Sequence, residues 1–349
     1  MPYSLQIPAL AGICFYMPSL PISISSFLLL SLSFGQAFAQ PYQHLRGQAQ
    51  GTTYQISYQP RPRALPPPAF DSIFQAIDLS LSLYNPASLI CAFNRSRLGI
   101  HADTHLLHIA QAALHFSESS QGAFDITILP AMDAWGFGQT PVQRLPTAKA
   151  LQILSSHIGY KHLTIRNDSL LKDIPQVQID CNGIAQGYTV DLIAQRLEQA
   201  GITDYLVELG GEIRLKGKNP QGKPWNIGIE APPGIASKAH SWTVAPSNGA
   251  ITSSGIYRNI RRIQGREIGH ILDPRSAQPA NSQVVSVTAI APTAMTADAI
   301  DHTCHVLGVE ASLQWVSHMK GVAIMLVYRD GQGKLRDTAS LGFPAWKYP

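Results

Sequence analysis

Asp298 and Asp301 stand in the run TADAIDHTCHVLG at a spacing that puts both carboxylates on one face of a helix, with His302 beside them. Two hard-oxygen groups side by side suit Mg2+, which binds through one or two carboxylates together with phosphate oxygens. A second cluster, His270-Ile271-Leu272-Asp273-Pro274-Arg275-Ser276, sets a histidine, an aspartate and an arginine at the end of a strand. Histidine there can accept a proton near neutral pH, and arginine can hold a phosphate. The third group is Asp180 with Gln186, on either side of a turn of small residues. Taken singly, each has a plain reading as a solvated acidic face, a polar turn or a connection. Their combination is what asks for chemistry.

The stretch Gln178 to Gly217 must position the third group. Residues 176–180 read as a short apolar strand ending on Asp180, followed by Asn182-Gly183-Ile184-Ala185-Gln186-Gly187. Val190, Ile193, Ala194 and Leu197 then recur at helical spacing, and Gly201 stops the helix. Tyr205 to Leu209 reads as a second strand, running into Gly210-Gly211. Such a unit points backbone N–H groups and a positive helix end at one spot, where a phosphate could sit. It is neither the dinucleotide GxGxxG nor the phosphate-loop pattern.

With 349 residues, 45% of them apolar and 14% charged, the chain describes a folded protein with one large domain or two ordinary ones. A net charge of +4 with no basic run rich in aromatics excludes the footprint of a nucleic-acid binder. The cysteines at 14, 91, 181 and 304 form no CxxC, so zinc and redox pairs are not expected, and they read as small core residues. Residues 1–39 read as a signal peptide. Ile22 to Phe34 is too short to span a bilayer, and Ala37-Phe38-Ala39 is a small-x-small cleavage signature. A mature chain from Gln40, periplasmic or secreted and without a lipid-anchor cysteine, is the expectation.

Further along, 45–59 alternates as a strand, 61–68 is a proline-rich loop, and Phe70 to Leu83 is a helix ended by Tyr84-Asn85-Pro86. Tyr84 is either a core or rim residue or a platform for a planar ring. Thr104 to Phe116 is a helix whose histidines 105, 108 and 115 do not converge on one point, so no metal is expected there. The run 122–138 packs a carboxylate, aromatics and glycines too densely for a plain connector. Thr147 caps a helix, and strands are expected at 162–166, 225–229, 241–244, 250–253, 266–272, 286–291 and 321–329. Ala297 to Leu307 is the helix carrying the aspartate pair. No repeat or linker divides 40–349, so one interlocked α+β unit of mixed helix and strand is expected.

The ordered pieces GTTY at 51–54, SLYNPAS at 82–88, AFDIT with AWGFG, IDCNGIAQGYTVD, YLVELGGEIR, SSGIYR, HILDPRS and TADAID resemble the FAD:protein FMN transferases, the ApbE family. The resemblance covers about residues 46–345 and implies a T-fold-like architecture. It implies FAD as substrate, Mg2+ at the pyrophosphate with Mn2+ as an alternative ion, and transfer of FMN to a Ser or Thr hydroxyl of an acceptor protein with release of AMP. The acceptor would carry a Ser/Thr flavinylation motif, and membrane redox proteins are implied as peripheral contacts. Mapped onto this chain, Gln50 and Tyr84 would lie at the flavin. Ala123, Phe124, Asp125 and Leu272 would line the FAD pocket, with Asp180 and Gln186 holding the nucleotide. Gly183 through its backbone, Asp298, Asp301 and His302 would surround the metal, and His270 would be the base toward the acceptor hydroxyl. His302 stands where relatives carry a metal-binding threonine. Two other readings use the same residues: an FAD pyrophosphatase, with water as acceptor, and a non-catalytic flavin-binding protein.

Overall fold

The segment expected as one strand over 45–59 is a hairpin. Gln50 and Gly51 adopt left-handed φ of 50° and 75°, the backbone that a tight two-residue reversal demands, and fold β1 (Gln43–Ala49) back on β2 (Thr52–Tyr58). The alternation is continuous through the turn in sequence, which is why it reads as a single strand. This computed structural model describes residues 41–61, 68–139, 142–232 and 241–345. The expected signal peptide, residues 1–39, lies outside the described residues, as does 62–67 of the proline-rich run.

Six more strands extend that hairpin into an eight-stranded sheet: β3 (Tyr205–Leu209), β4 (Glu212–Lys216), β5 (Asn248–Gly255), β6 (Val284–Ala291), β7 (Ala323–Arg329) and β8 (Leu335–Ala339). Every neighbour pair is antiparallel, and neighbours in space are neighbours in chain order. The period of two decides what each face buries. Ile324 and Leu326 of β7 join the main core, while Met325 and Val327 join a second core with Trp242 and Leu215. The hairpin 227–230 with 241–244 covers that second face. Among the described residues no helix is long and apolar enough to cross a membrane.

The helices are α1 (Pro68–Leu81), α2 (Leu89–Arg95), α3 (Thr104–Ser119), α4 (Leu129–Ala134), α5 (Ala148–Ser155), α6 (Ala185–Gln199), α7 (Ala294–Leu307) and α8 (Val309–Val316). Thr147 caps α5, as its sequence position predicts. The stretch 176–180 is not a strand. The N–H and C=O of Ile179 bond the side-chain amide of Asn94, at 2.8 and 3.0 Å, and the Asp180 N–H bonds the Ile126 carbonyl at 2.7 Å. Single partners from elsewhere replace a ladder, so the chain is extended but unpaired. The expected strand 266–272 also divides. Arg266–Gly269 pairs with Ile260–Ile263 in a hairpin, and Leu272–Asp273 pairs with Gln278–Pro279. All three described cysteines are free, with Cys181 and Cys304 buried and Cys91 partly so.

Helices α6 and α7 lie side by side on the main core. Two features of α6 permit that closeness. A Cβ on Gly187 would come within 2.4 Å of the Ala294 carbonyl oxygen, so only glycine fits. One turn on, the buried Asp191 carboxylate accepts from the Ala294 and Met295 N–H groups, each at 2.9 Å, and from Arg214 of β4 at 2.7 Å. It thus satisfies free donors at the α7 N-terminus and complements the helix dipole there. Burial raises the Asp191 carboxyl above its ordinary range, against the lowering by those three donors.

Asp191→Ala leaves Arg214 buried without its partner and strips the α7 terminus. Loss of one partner of a buried pair costs on the order of 3–5 kcal/mol. Urea unfolding of the variant should show that loss. A change below about 1 kcal/mol would mean that water replaces the carboxylate at little cost.

Candidate functional site

A cavity of about 330 Å³ opens where α6, α7, β5 and the 270–274 turn converge. Two further cavities, of about 280 and 350 Å³, adjoin it, and Asn182 lines all three. Asn182 sits in the turn before α6, its N–H bonded to Asp180 Oδ1 at 2.8 Å. The chain of cavities therefore passes around the turn that the sequence singles out.

The acidic pair lies where helical spacing predicts, on one face of α7, and both residues are 1% exposed. Each carboxylate has one oxygen held by a fixed donor. The Gly187 N–H bonds Asp298 Oδ2 at 3.0 Å, and Thr252 Oγ1 of β5 bonds Asp301 Oδ2 at 2.9 Å. The other oxygens turn toward His302, whose Nδ1 is 3.4 Å from Asp298 Oδ1 and 2.8 Å from Asp301 Oδ1. The shorter approach lacks hydrogen-bond alignment. Nδ1 bonds the Asp298 carbonyl oxygen at 3.1 Å, and Asp301 Oδ1 remains buried without a hydrogen-bond partner. Gly183 stands against the imidazole, where a Cβ would lie 3.4 Å from the ring.

Glu212, on β4, adds a further carboxylate that carries no assignment from sequence. Its Oε2 is buried and unpartnered, and the residue lines the first cavity. Burial, then the charges of Asp298 and Asp301, hold its carboxyl well above the ordinary range. Burial likewise raises Asp298. For His302 burial pulls downward, but the carboxylates of Asp301 and Asp298 together outweigh it and hold the imidazole well above its ordinary value. Carboxylates crowded in a dry place, two of their oxygens without partners, are a donor set that fits a hard divalent cation. Ligand atoms of Asp298, Asp301 and His302 lie within 4.8 Å of one another.

The other sequence candidates surround this centre. Ala123, Phe124, Asp125, Asp180, Gln186 and Leu272 all line the first cavity. The Asp125 carboxylate is committed to the protein: Oδ1 accepts from the Thr127 N–H and hydroxyl, and Oδ2 from the Tyr160 N–H. Its place in the cavity wall is thereby fixed, but its oxygens are not free for a nucleotide. Burial raises both Asp125 and Asp180. Gln50 reaches α6 through Thr189 Oγ1 at 2.7 Å and lines the second cavity with Gln186. Tyr84 is 74% exposed on the rim between the second and third cavities, so it is not a core residue. Among the α3 histidines, His105 and His108 pack on Tyr188 rather than converging on an ion.

His270 lines the first cavity at the root of the 260–269 hairpin, where its N–H bonds the Asn259 carbonyl. Burial, then the His302 charge, lower its imidazole to about 4. A ring kept neutral at pH 7 has a lone pair for a proton. Arg275 stands differently from the sequence expectation. Its guanidinium grips its own neighbour Asp273 through two bonds, at 2.9 and 2.8 Å, and it does not line the first cavity. Nearness in sequence, which puts it at the site, also supplies a carboxylate that occupies it.

Comparisons with known proteins show the family. A family model described as the ApbE family matches residues 50–326. The chain is 33% identical to the FAD:protein FMN transferase of Vibrio cholerae, covering 92% of this chain and 97% of that one. It is 35% identical to the Escherichia coli enzyme of the same name, covering 73% and 74%. The apo crystal structure of the Pseudomonas stutzeri flavinyl transferase ApbE superposes with a TM-score of 0.78 at 33% identity, over 87% of this chain and 96% of that one.

The His270 shift has a measurable sign. Folding lowers the value from 6.5 to about 4, so below pH 6.5 the unfolded chain holds a proton that the folded chain has given up. This imidazole therefore subtracts stability as the pH falls from about 6.5 toward 4. NMR of the ring protons, assigned with His270→Gln, should show no midpoint between pH 5.5 and 8. A midpoint near 6.5 would mean that the ring is solvated.

Proposed function

The chain belongs to the ApbE family and is a flavin transferase, and from that premise we propose that it moves the FMN part of FAD onto a Ser or Thr hydroxyl of an acceptor protein, with Mg2+ and with release of AMP. The observation that carries this reading is the buried acidic cluster of α7 beside a run of joined cavities. A protein that only held a flavin need not keep buried hard ligands beside those cavities.

Asp298, Asp301 and the Gly183 backbone would hold the ion, with His302 as a further donor. A divalent ion there would neutralise the pyrophosphate charge that otherwise repels an incoming oxygen. The protein's own part is positional. Tyr84 would present its ring to the flavin, with Gln50 and Gln186 beside it. Asn182 and the positive end of the α6 dipole would face the phosphates. The acceptor hydroxyl would give its proton to His270 as its oxygen bonds the FMN phosphorus. The bond from that phosphorus to the bridging oxygen breaks, and the bridging oxygen leaves with AMP. Water in place of the hydroxyl would give FMN and AMP instead.

We propose also that the chain works in the periplasm or outside the cell. The apolar run and the Ala37-Phe38-Ala39 signature support it, and acceptors among membrane redox proteins would then be within reach.

The test is to mix the purified protein with FAD, Mg2+ and a candidate acceptor and to weigh the acceptor by intact mass spectrometry. A gain equal to one FMN is expected. Asp298→Ala and Asp301→Ala should abolish it while keeping most FAD affinity, and near wild-type transfer by either would remove the metal assignment. Tyr84→Ala should weaken FAD binding by roughly 1–3 kcal/mol, the scale of one stacked aromatic; an unchanged dissociation constant would take Tyr84 away from the flavin. Because an imidazole donor favours Mn2+ relative to Mg2+, Mn2+ should support the wild type at least as well as Mg2+. His302→Thr should shift the preference back, and identical metal profiles would show that His302 is no ligand.

A further inference from the structure

The first cavity is lined by the carboxyl groups of Asp125, Asp180 and Glu212 and the imidazoles of His270 and His302, and the alcohol, amide and apolar groups around them carry no charge. Among the described residues lining it there is one Arg or Lys, Arg258. This arginine follows the end of β5, with its N–H bonded to the Gly255 carbonyl at 3.2 Å. Its guanidinium passes over the bare face of Gly211, where a Cβ would lie 3.8 Å from NH1. Its NH2 meets Glu230 Oε2 at 3.0 Å, with side chains 41% and 68% exposed. A pair so open to water is worth about 0–1 kcal/mol, so a multiply charged phosphate can displace Glu230. Gly211 keeps the path clear.

We propose that Arg258 is a catalytic residue of the flavin transfer: on FAD binding its guanidinium leaves Glu230 and holds the departing AMP phosphate. The inference rests on the reading of the site as an FMN transferase. In the step, the acceptor oxygen bonds the FMN phosphorus and its proton passes to His270. The bond to the bridging oxygen breaks, and that oxygen takes the electron pair away on AMP. Charge grows on the AMP phosphate only as this bond breaks, so a guanidinium on it acts in the transition state more than on bound FAD. Arginine suits the task because its planar fork meets two phosphate oxygens at once and stays charged.

The experiment measures AMP release from saturating FAD with an acceptor that the wild type flavinylates, and FAD affinity separately by flavin fluorescence. Arg258→Ala should lower the rate at least 100-fold with an FAD dissociation constant within about fivefold of wild type. Guanidinium chloride should restore at least tenfold to that variant and nothing to the wild type. Arg258→Lys, which keeps the charge but not the fork, should remain at least tenfold slow. Glu230→Gln, freeing the guanidinium, should tighten FAD by up to about fivefold. A rate for Arg258→Ala within threefold of wild type would overturn the assignment. So would a rate loss that tracks FAD affinity, or the absence of guanidinium rescue in a variant whose circular dichroism is native. If the wild type itself releases no AMP and labels no acceptor, it is the transferase reading that falls, before any variant is compared.

Discussion

Everything at the site hangs on one buried carboxylate that is not part of the chemistry. Asp191 ties α6 to the N-terminus of α7 and to Arg214 of the sheet. Because the two helices are clasped there, the first turn of α6 can lend a backbone N–H, that of Gly187, to Asp298. Remove the clasp and the acidic face of α7 has no fixed distance from the turn that would hold phosphates. The bare Cα of Gly187 serves the same closeness, since any side chain would push against the Ala294 carbonyl. Rigid packing thus converts helix spacing into ligand geometry, which is how outer contacts set the aim of inner ones.

The electrostatics of the centre are unbalanced on purpose of use rather than of stability. Asp298 and Asp301 are buried together, the buried Oε2 of Glu212 joins them, and His302 is the near cation that eases their repulsion. Buried like charges raise each other's proton affinity, so the protein alone would keep protons there. A divalent cation relieves the same strain with no proton. The imidazole is drawn in by the same field that would draw a metal.

Much of this was legible in the chain. The i, i+3 aspartates needed only a helix, and α7 is that helix with Thr293 at its cap. The Gly-containing turn before α6 needed only local rules. Long-range placement was not legible. Glu212 follows two glycines on a strand and looks like any outward acid, yet pairing of β3 with β4 turns it toward α7. Arg275 was the arginine suggested by its neighbours, and those neighbours occupy it. Arg258 is distant from every acidic motif in sequence and reaches the cavity only because β5 ends there. The extended run ending at Asp180 resembled a strand because its apolar alternation was real. Its hydrogen-bond partners, an asparagine side chain and one carbonyl, are a matter of tertiary structure that no period announces.

The strictly sequential order of the sheet sets an order of assembly. From β3 onward each strand joins the one before it, the longest connections being 217–247 and 292–322. The N-terminal hairpin is different, because residues 59–204 separate β2 from the β3 edge it must find. Closing a longer loop costs more chain entropy before any contact repays it. The first strands to be synthesised are therefore the last to dock. Gln50, at the tip of that hairpin, touches α6 only after the docking. The wall of the second cavity is completed by the latest event in folding, so a nascent or partly opened chain would already possess its acidic centre while lacking that cavity.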